Sequence, residues 1–435
     1  MVRVLHLSDL HLGSGLSYGQ INPASGLNSR LEDFTRALEH AVDSALKHQI
    51  DLVLFGGDAF PDATPPPLHQ DLFATQFRRL AAAHIPTVLL VGNHDQYGQG
   101  HEGSSLSIYR TLEVQGFEVG DKLQTLRLQT RSGPVQVTTL PWLLRSTLLT
   151  REETMGLDTD AISAQLLQRL HLALQAEIRR LDPAVPAILL AHAMVDTARV
   201  GSERHLAVGK GFTIPLALLA QPAFQYVALG HVHRHQVLCQ HPLMIYPGSL
   251  ERVDFGEEEE TKGFVIADVQ LQGTSFQFKP IAARPFCTLR IDVSDLPPQD
   301  PQLQRQIHHL IQKSPIEDAV VRLIYRIRPD QLQELDEHRL HTQLARAHFY
   351  TVTPEVTSTP RARLPGMDPN DLEPLQALEQ YLQTRPELQT LQADLLATAR
   401  QVLEDLHTPE SEWMWPEEPP EPEEDPEYQE QLRLL

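Results

Sequence analysis

Five short blocks of metal-binding residue types stand out in the chain, and each follows a run of apolar residues. Aspartate, histidine and asparagine supply the carboxylate, imidazole and amide donors that bind divalent cations. The blocks are Asp9-Leu10-His11, Gly57-Asp58, Gly92-Asn93-His94-Asp95, Ala191-His192 and Gly230-His231-Val232-His233. Such a mixture of donors suits Mn²⁺, Fe or Zn²⁺, whereas a set of oxygen donors alone would indicate Mg²⁺ or Ca²⁺.

The chemistry that these residue types would support is hydrolysis of a phosphate ester. Two cations about 3.5–4 Å apart cancel charge on the phosphate, lower the pKa of a bound water and align the attacking and leaving oxygens. A carboxylate that bridges the two ions completes such a site. The five blocks therefore predict a two-metal phosphoesterase.

Each block comes directly after a strand-like segment, which gives distant parts of the chain a way to meet. These segments are Val2 to Leu7, Leu52 to Phe55, Thr87 to Val91, Ala187 to Leu190 and Tyr226 to Leu229. In α/β folds, ligands gather outside the carboxyl ends of strands. The D-x-H and H-x-H spacings also put two side chains on the same side of an extended segment. We therefore expect the blocks to converge in space.

The remaining pattern up to residue 284 predicts an α/β fold. Apolar residues recur at helical spacing in residues 31–47, 68–83 and 161–180. Residues 117–140 and 243–278 alternate instead as short strands. Stacked mixed sheets flanked by helices fit this order of elements.

The pattern of predicted strands and helices changes at Pro285, which predicts a second, small α/β domain over residues 285–356. Its expected strands are 287–293, 319–327 and 349–356, and its expected helices are 302–312 and 332–347. Arg322, Arg326 and Arg328 lie on or after its middle strand. They either form a solvated face or contact a phosphate backbone.

The C-terminal part divides into three predicted segments. Residues 357–369 form a polar, proline-containing linker, and residues 370–408 a helical region with apolar stripes at 372–382 and 388–406. The stripes either dock onto a partner or pack onto the small domain. Residues 409–435 contain ten acidic residues and one arginine, so we expect this tail to be disordered.

Composition indicates a cytoplasmic protein with more than one domain. The chain has 435 residues, 41% of them hydrophobic, which is enough to bury a sizeable core. Two cysteines argue against a disulfide framework, and neither a leader-like start nor an apolar run of membrane-spanning length is found. The net charge of −21 is unusual for a protein that binds nucleic acid, although the acidic tail carries much of it.

The order D-x-H, GD, GNHD, H and GHxH resembles the calcineurin-like metallophosphoesterases. The segments "HLSDLHLG", "VGNHDQ", "ALGHVHRHQ" and "YPGSLERVDFGEEEETKGF" look like those of bacterial SbcD-type nuclease subunits. The resemblance covers residues 1–285 well. It implies a four-layer sandwich, a capping domain and a C-terminal helical extension.

The resemblance also implies a function and partners. The implied function is that of a Mn²⁺-dependent nuclease in DNA repair and recombination. It would act as an exonuclease on double-stranded ends and as an endonuclease on single-stranded or hairpin DNA. An SbcC-type coiled-coil ATPase would bind the helical region, and the chain would form a homodimer. Two alternatives stay open: a stand-alone phosphodiesterase or phosphatase on another ester, and a scaffold without metals.

By the same resemblance, each motif position receives a role. One ion would be held by Asp9, His11, Asp58 and His233, and the other by Asp58, Asn93, His192 and His231. His94 would act as general acid or transition-state donor. Asp95 either orients His94 or caps the following turn. Pro61 stands where archaeal and eukaryotic relatives carry a histidine. The resemblance therefore leaves open how this chain divides its activity between exonuclease and endonuclease cleavage.

Overall fold

The structure is a computed structural model that describes residues 1–97, 103–144, 158–199, 213–297, 299–357, 374–383, 388 and 391–406. The chain divides into two units, residues 1–357 and 358–435. The predicted acidic tail lies outside the described residues, and so does the predicted linker beyond Thr357.

Strands and helices alternate along most of the first unit. The strands are β1 (Val2–Leu7), β2 (Leu52–Phe55), β3 (Thr87–Leu90), β4 (Phe117–Gly120), β5 (Gln124–Thr130), β6 (Gly133–Leu140), β7 (Ala187–His192), β8 (Tyr226–Gly230), β9 (Gln236–Gln240), β10 (Leu243–Tyr246), β11 (Gly263–Gln270), β12 (Gly273–Pro280), β13 (Phe286–Asp292), β14 (Val320–Ile327) and β15 (Phe349–Val356). The α-helices are α1 (Ser29–Lys47), α2 (Pro67–Ala82), α3 (Ser107–Thr111), α4 (Thr159–Ile178), α5 (Leu216–Leu219), α6 (Gln302–Lys313) and α7 (Glu337–Leu344).

Two six-stranded mixed sheets form the larger part of this unit. The first has the order β12-β11-β1-β2-β3-β4, and β1 to β4 run parallel within it. The second has the order β5-β6-β7-β8-β10-β9, and β6, β7, β8 and β10 run parallel. In each sheet the parallel strands therefore end at the same edge.

Alternating apolar side chains produce four layers. Val4, Leu54 and Val88 of the first sheet pack against Ile188 and Tyr226 of the second. The opposite face of the first sheet is covered by α1 and α2, and that of the second sheet by α4. Burial of each such side chain is worth about 1.5–3 kcal/mol. The expected four-layer sandwich of two mixed sheets flanked by helices is confirmed.

A three-stranded parallel sheet, β13-β14-β15, follows residue 285 and packs against α6 and α7. The prediction of a single helix over residues 332–347 was wrong. The chain forms a 3₁₀ turn at Leu332–Glu334, becomes extended at Leu335, and starts α7 only after Asp336. The Asp336 side chain accepts a hydrogen bond from Arg339 N, 2.9 Å away, and so caps α7.

The three arginines of the small sheet differ in their surroundings. Arg322 is half-buried, and its guanidinium lies 4.3 Å from the centre of the Phe255 ring. Arg328 donates to the carbonyls of Ser294 and Leu296. Arg326 is exposed and lies near Asp292. Arg322 and Arg328 therefore have half-buried structural partners, and Arg326 forms an exposed ion pair.

In the second unit, the described residues form helices α8 (Pro374–Gln383) and α9 (Gln392–Leu406), which contact each other. Both lie within the segments expected to be helical, apart from the last residue of α8. Within the described parts of the chain, we find no helix with the length and apolar character needed to cross a membrane.

A buried ion cluster joins α1 to the segment that precedes β13. Arg284 donates two hydrogen bonds to the Asp33 carboxylate, at 2.6 and 2.8 Å. Arg30, fully buried, donates to the same carboxylate at 2.8 Å, and exposed Arg36 also contacts it. Arg284 reaches Asp318, just before β14, with its remaining nitrogen. It therefore fastens the three-stranded sheet to the sandwich.

We predict that Arg284→Ala lowers the free energy of unfolding by about 2–3 kcal/mol, because Asp33 stays buried but loses two charged hydrogen bonds. Arg36→Ala removes an arginine from the same carboxylate and is the matched control. Its side chain is 64% exposed, against 8% for Arg284, so its loss should cost about 0–1 kcal/mol. Urea unfolding measures both, and equal losses would contradict the assignment.

Candidate metal centre

The ends of five parallel strands bring the predicted ligand residues together. Asp9 and His11 follow β1, Asp58 follows β2, and Asn93 follows β3 in the first sheet. In the second sheet, His192 ends β7, and His231 and His233 follow β8. The site thus lies where the two sheets meet, as the strand-end argument predicted.

Asp58 occupies the centre of the cluster. Its Oδ2 atom lies 3.6 Å from His11 Nε2 and 3.4 Å from His192 Nε2. Its Oδ1 atom accepts a hydrogen bond from His94 N at 2.9 Å. One carboxylate oxygen therefore faces an imidazole on either side, which is the arrangement that a bridging ligand needs.

Asp9, His11 and His233 form the first candidate group, with donor atoms within 4.8 Å of one another. The Nε2 atoms of His11 and His233 are 3.1 Å apart. Asp9 is fixed by His231 N, at 3.0 and 3.1 Å from its two oxygens, and by the Ser8 hydroxyl. Two ring nitrogens and a carboxylate that face one point form a good donor set for a transition metal.

Asp58, His192 and His231 form the second candidate group, and Asn93 lies beside it. Asn93 Oδ1 is 3.0 Å from both His192 Nε2 and His231 Nδ1. His192 Nδ1 donates to the Gly56 carbonyl at 2.7 Å, so in the neutral ring Nε2 carries a lone pair that faces the Asn93 oxygen. Two acceptors this close require either a proton or a cation between them.

The charges of the side chains around Asp58 also favour a cation. Burial alone would raise the pKa of the Asp58 carboxyl, but His192 and His11 hold this pKa well below its usual range. Burial alone would lower the pKa of His192, whereas the Asp58 and Asp9 carboxylates raise the pKa of His192 to about 9. Burial lowers the pKa of His231 to about 3. The Asp58 carboxylate thus supplies buried negative charge, which favours a cation beside it.

The backbone at these strand ends is strained. The φ angles are 52° for Asp9, 46° for His11, 58° for Asp58 and 105° for His231. Residues other than glycine rarely adopt such angles, which cost about 1–3 kcal/mol each and persist only where surrounding contacts enforce them. Two such contacts link the first two loops: Asp9 N donates to Gly57 O, and His11 N donates to Asp58 O, both at 3.0 Å.

Close packing behind Asp58 explains why the GNHD block begins with a glycine. A Cβ atom on Gly92 would lie 2.1 Å from Asp58 Oδ1 and 2.6 Å from Asp58 N. Only glycine therefore leaves room for the central carboxylate.

Asp95 supports the loops around Asp58, and the structure does not show it orienting His94. The carboxylate of Asp95 is buried and accepts hydrogen bonds from Asp58 N, Ala59 N, Gly92 N and Ser105 Oγ, at 2.8–3.0 Å. Burial and the Asp58 charge raise the pKa of Asp95 to about 6. Asp95 thus ties the second and third ligand loops together.

His94 is oriented by a backbone carbonyl instead. Its Nδ1 atom donates to Pro61 O at 2.8 Å, and its ring meets the His11 ring edge-on at 4.9 Å. Nε2 is then the atom at which His94 can exchange a second proton. Pro61 differs from the histidine of archaeal and eukaryotic relatives, but it accepts this hydrogen bond with its backbone carbonyl oxygen, which every residue type has.

Glu257 and Lys262 belong to the surroundings of the site and were not predicted from the sequence. Glu257 Oε1 accepts a hydrogen bond from His233 Nδ1 at 2.6 Å, and Lys262 lies behind it. Both residues stand in the "YPGSLERVDFGEEEETKGF" segment, but its several acidic residues give no signal that selects one.

The other histidines near the motifs differ in position. His6 is buried and is 2.8 Å from the Tyr226 hydroxyl, while His235 donates to Tyr246 O and stacks on Phe278. Neither appears among the candidate metal groups of the described residues, and His205 lies outside that part of the chain.

Comparison with known proteins agrees with this geometry. The model of the calcineurin-like phosphoesterase family matches residues 2–235, a range that contains all seven predicted ligands. The chain belongs to this family. It is therefore a phosphoesterase, a hydrolase with an α/β fold. The two donor groups described above, and a third that overlaps them and consists of His11, Asp58 and His94, are candidate sites for the metals of such an enzyme.

The relatives include subunits of a nuclease. The chain is 26% identical over 280 residues to the SbcD subunit of the SbcCD nuclease of Bacillus subtilis, which is 62% of this chain and 66% of the relative. It is 25% identical over 268 residues to the protein of the same name from Escherichia coli K12, covering 60% and 63%. The DNA double-strand break repair protein Mre11 of Aeropyrum pernix is 24% identical over 310 residues, covering 68% and 64%. The matches span slightly less than two thirds of these relatives.

Replacing Asp95 with asparagine should lower the free energy of unfolding by about 1–3 kcal/mol, because one amide oxygen cannot serve four donors. Ser105→Ala is the control, since it removes one of those donors and should cost about 0.5–1.5 kcal/mol. Urea unfolding in the presence of EDTA measures this without a contribution from bound metal. An Asp95→Asn variant with unchanged stability but impaired hydrolysis would instead restore a role for Asp95 beside His94.

Proposed function

We propose that the chain is a DNA phosphodiesterase that works with a pair of divalent cations joined by Asp58. The observation that supports this most directly is the position of Asp58 Oδ2 between His11 Nε2 and His192 Nε2, each 3.4–3.6 Å away. Asp58 belongs to the candidate group of His192 and His231 and to a group with His11 and His94, and His11 also belongs to the group of Asp9 and His233. A single carboxylate can serve both groups only as a bridge.

The ligand sets expected from the sequence suit this geometry. Asp9, His11, Asp58 and His233 would hold one ion, and Asp58, Asn93, His192 and His231 the other. His231 Nε2 is a buried nitrogen with no hydrogen-bond partner among the described residues, so its hydrogen-bonding capacity is unsatisfied. Four imidazoles with carboxylate and amide oxygens favour Mn²⁺ over Mg²⁺.

Bound cations would neutralise the phosphate and supply a water of lowered pKa. The chain contributes orientation and proton transfer. Asp58, tied down by His94 N and supported by Asp95, holds the two ligand sets at a fixed separation. His94 donates Nδ1–H to Pro61, so a second proton can be carried only on Nε2. We assign the donation of that proton to the leaving oxygen.

DNA as the substrate is favoured by similarity to the SbcD subunits and to the archaeal repair protein. We propose exonuclease activity on double-stranded ends and endonuclease activity on single-stranded or hairpin DNA, in repair and recombination. The net charge of −21 is unusual for a protein that binds nucleic acid, and Arg322 and Arg328 have structural partners. Binding of a long polyanion would therefore depend on the cations and on partner subunits.

The proposed partners are an SbcC-type coiled-coil ATPase and a second copy of this chain. Helices α8 and α9 would bind the ATPase. Leu395 and Val402 of α9 are exposed, and so is Leu391 just before it. Exposed apolar residues on a helix pair are typical of a surface that a partner covers.

The substrate proposal is tested by incubating the chain with Mn²⁺ and either linear duplex DNA or a cyclic nucleotide, with and without an SbcC-type ATPase. We expect DNA to be degraded, more rapidly with the ATPase, and EDTA to stop the reaction. Hydrolysis of the cyclic nucleotide with intact DNA in both arms would support a stand-alone phosphodiesterase. Absence of metal binding and of hydrolysis would support a scaffold.

For His94→Ala, we predict a loss of about 10²–10⁴-fold in kcat with two ions per chain retained, because His94 moves a proton and the other residues hold the metals. Elemental analysis of the dialysed protein gives the metal content. Asp58→Ala is the comparison variant and should lose both ions together with activity. Loss of metal from His94→Ala would show that His94 is a ligand.

A further inference from the structure

Glu257 is a buried carboxylate in direct contact with a predicted metal ligand. It is the last residue of the short 3₁₀ turn Phe255–Glu257, and 0% of its surface is accessible to solvent. Its Oε1 atom lies 2.6 Å from His233 Nδ1. A carboxylate is costly to bury, so its presence here requires strong partners.

A lysine and a backbone amide are those partners. Glu257 Oε2 accepts from Lys262 Nζ at 2.7 Å and from Val253 N at 3.1 Å. Lys262 is itself buried, and its ammonium also donates to Glu260 and to His233 O. The carboxylate is thus ionised and held from both sides, and it can only accept from His233.

This contact determines the tautomer of His233. The proton of the neutral ring must lie on Nδ1, between the ring and Glu257, so the lone pair lies on Nε2. Nε2 is the atom that faces His11 Nε2 at 3.1 Å, in the first candidate group. In the second group, His192 Nδ1 donates only to a neutral acceptor, the Gly56 carbonyl. An anionic acceptor makes an imidazole a stronger donor to a metal than a neutral one does.

The turn that carries Glu257 is itself held by the three-stranded sheet. Phe255 packs edge-on against Phe286 at 4.9 Å, and the Arg322 guanidinium lies over the Phe255 ring. Glu258 accepts from Thr288 N at 2.8 Å. Strands β13 and β14 therefore fix Glu257 at its distance from His233.

We propose that Glu257 is a positioning residue that makes the site at Asp9, His11 and His233 the tighter of the two metal positions. This inference rests on the proposed two-metal function. Glu257 fixes the His233 ring and its tautomer, and strengthens its Nε2 as a ligand. The position at His192 and His231 binds its cation more weakly, with a backbone carbonyl behind His192.

The test is a Mn²⁺ titration of the full chain, followed by calorimetry and by electron paramagnetic resonance of the bound ions. Glu257→Gln should weaken the tighter site by about 10–100-fold and leave the weaker site within about twofold. The glutamine would turn its oxygen to Lys262 and its NH₂ to His233 Nδ1, which moves the ring proton to Nε2. Glu259→Gln removes the same charge from an exposed position two residues away and should leave both affinities unchanged.

Unfolding in EDTA shows whether the variant keeps its fold. If Glu257→Gln does not fold, Glu257→Asp keeps the charge and shortens the side chain, and should weaken the same site alone. Equal weakening of both sites, or wild-type binding at both, would overturn the role of Glu257 while the proposed function stands. A wild-type chain that binds fewer than two ions would overturn the proposed function itself.

Discussion

The Asp58 carboxylate is buried between two histidines at the junction of the two large sheets, and the rest of the site is arranged around it. A buried carboxylate persists only where positive charge or strong donors compensate its lost hydration. A backbone N–H group satisfies one of its oxygens, and the other faces imidazoles on both sides. The site therefore has the charge and the donors for cations.

Two independent sheets are needed to build this arrangement. The first provides Asp9, His11, Asp58 and Asn93 and the second His192, His231 and His233, so neither sheet has a complete site. Strained backbone at Asp9, His11, Asp58 and His231 shows that the loops are held against their local preference. The interlocking hydrogen bonds of Asp95 and the packing of Gly92 explain how this strain is sustained.

The pattern of strands and helices predicted stacked mixed sheets flanked by helices, and the family resemblance implied their four-layer arrangement. Polar residues after regular strands predicted the convergence of seven side chains. The sequence failed where a contact is made by a distant or non-specific atom. The helix expected over 332–347 breaks because Asp336 caps a new one. Asp95 was expected either to orient His94 or to cap the following turn, whereas two of its donors come from a loop 36 and 37 residues earlier. Glu257 was one of several adjacent acidic residues, and only tertiary structure shows which of them reaches His233.

The most direct test of the account is anomalous diffraction at the manganese edge from a crystal of the chain soaked in Mn²⁺. Two peaks about 3.5–4 Å apart are predicted, one on each side of the Asp58 carboxylate, with His233 and His192 as ligands of different ions. A single peak, or two peaks that do not share Asp58, would contradict it.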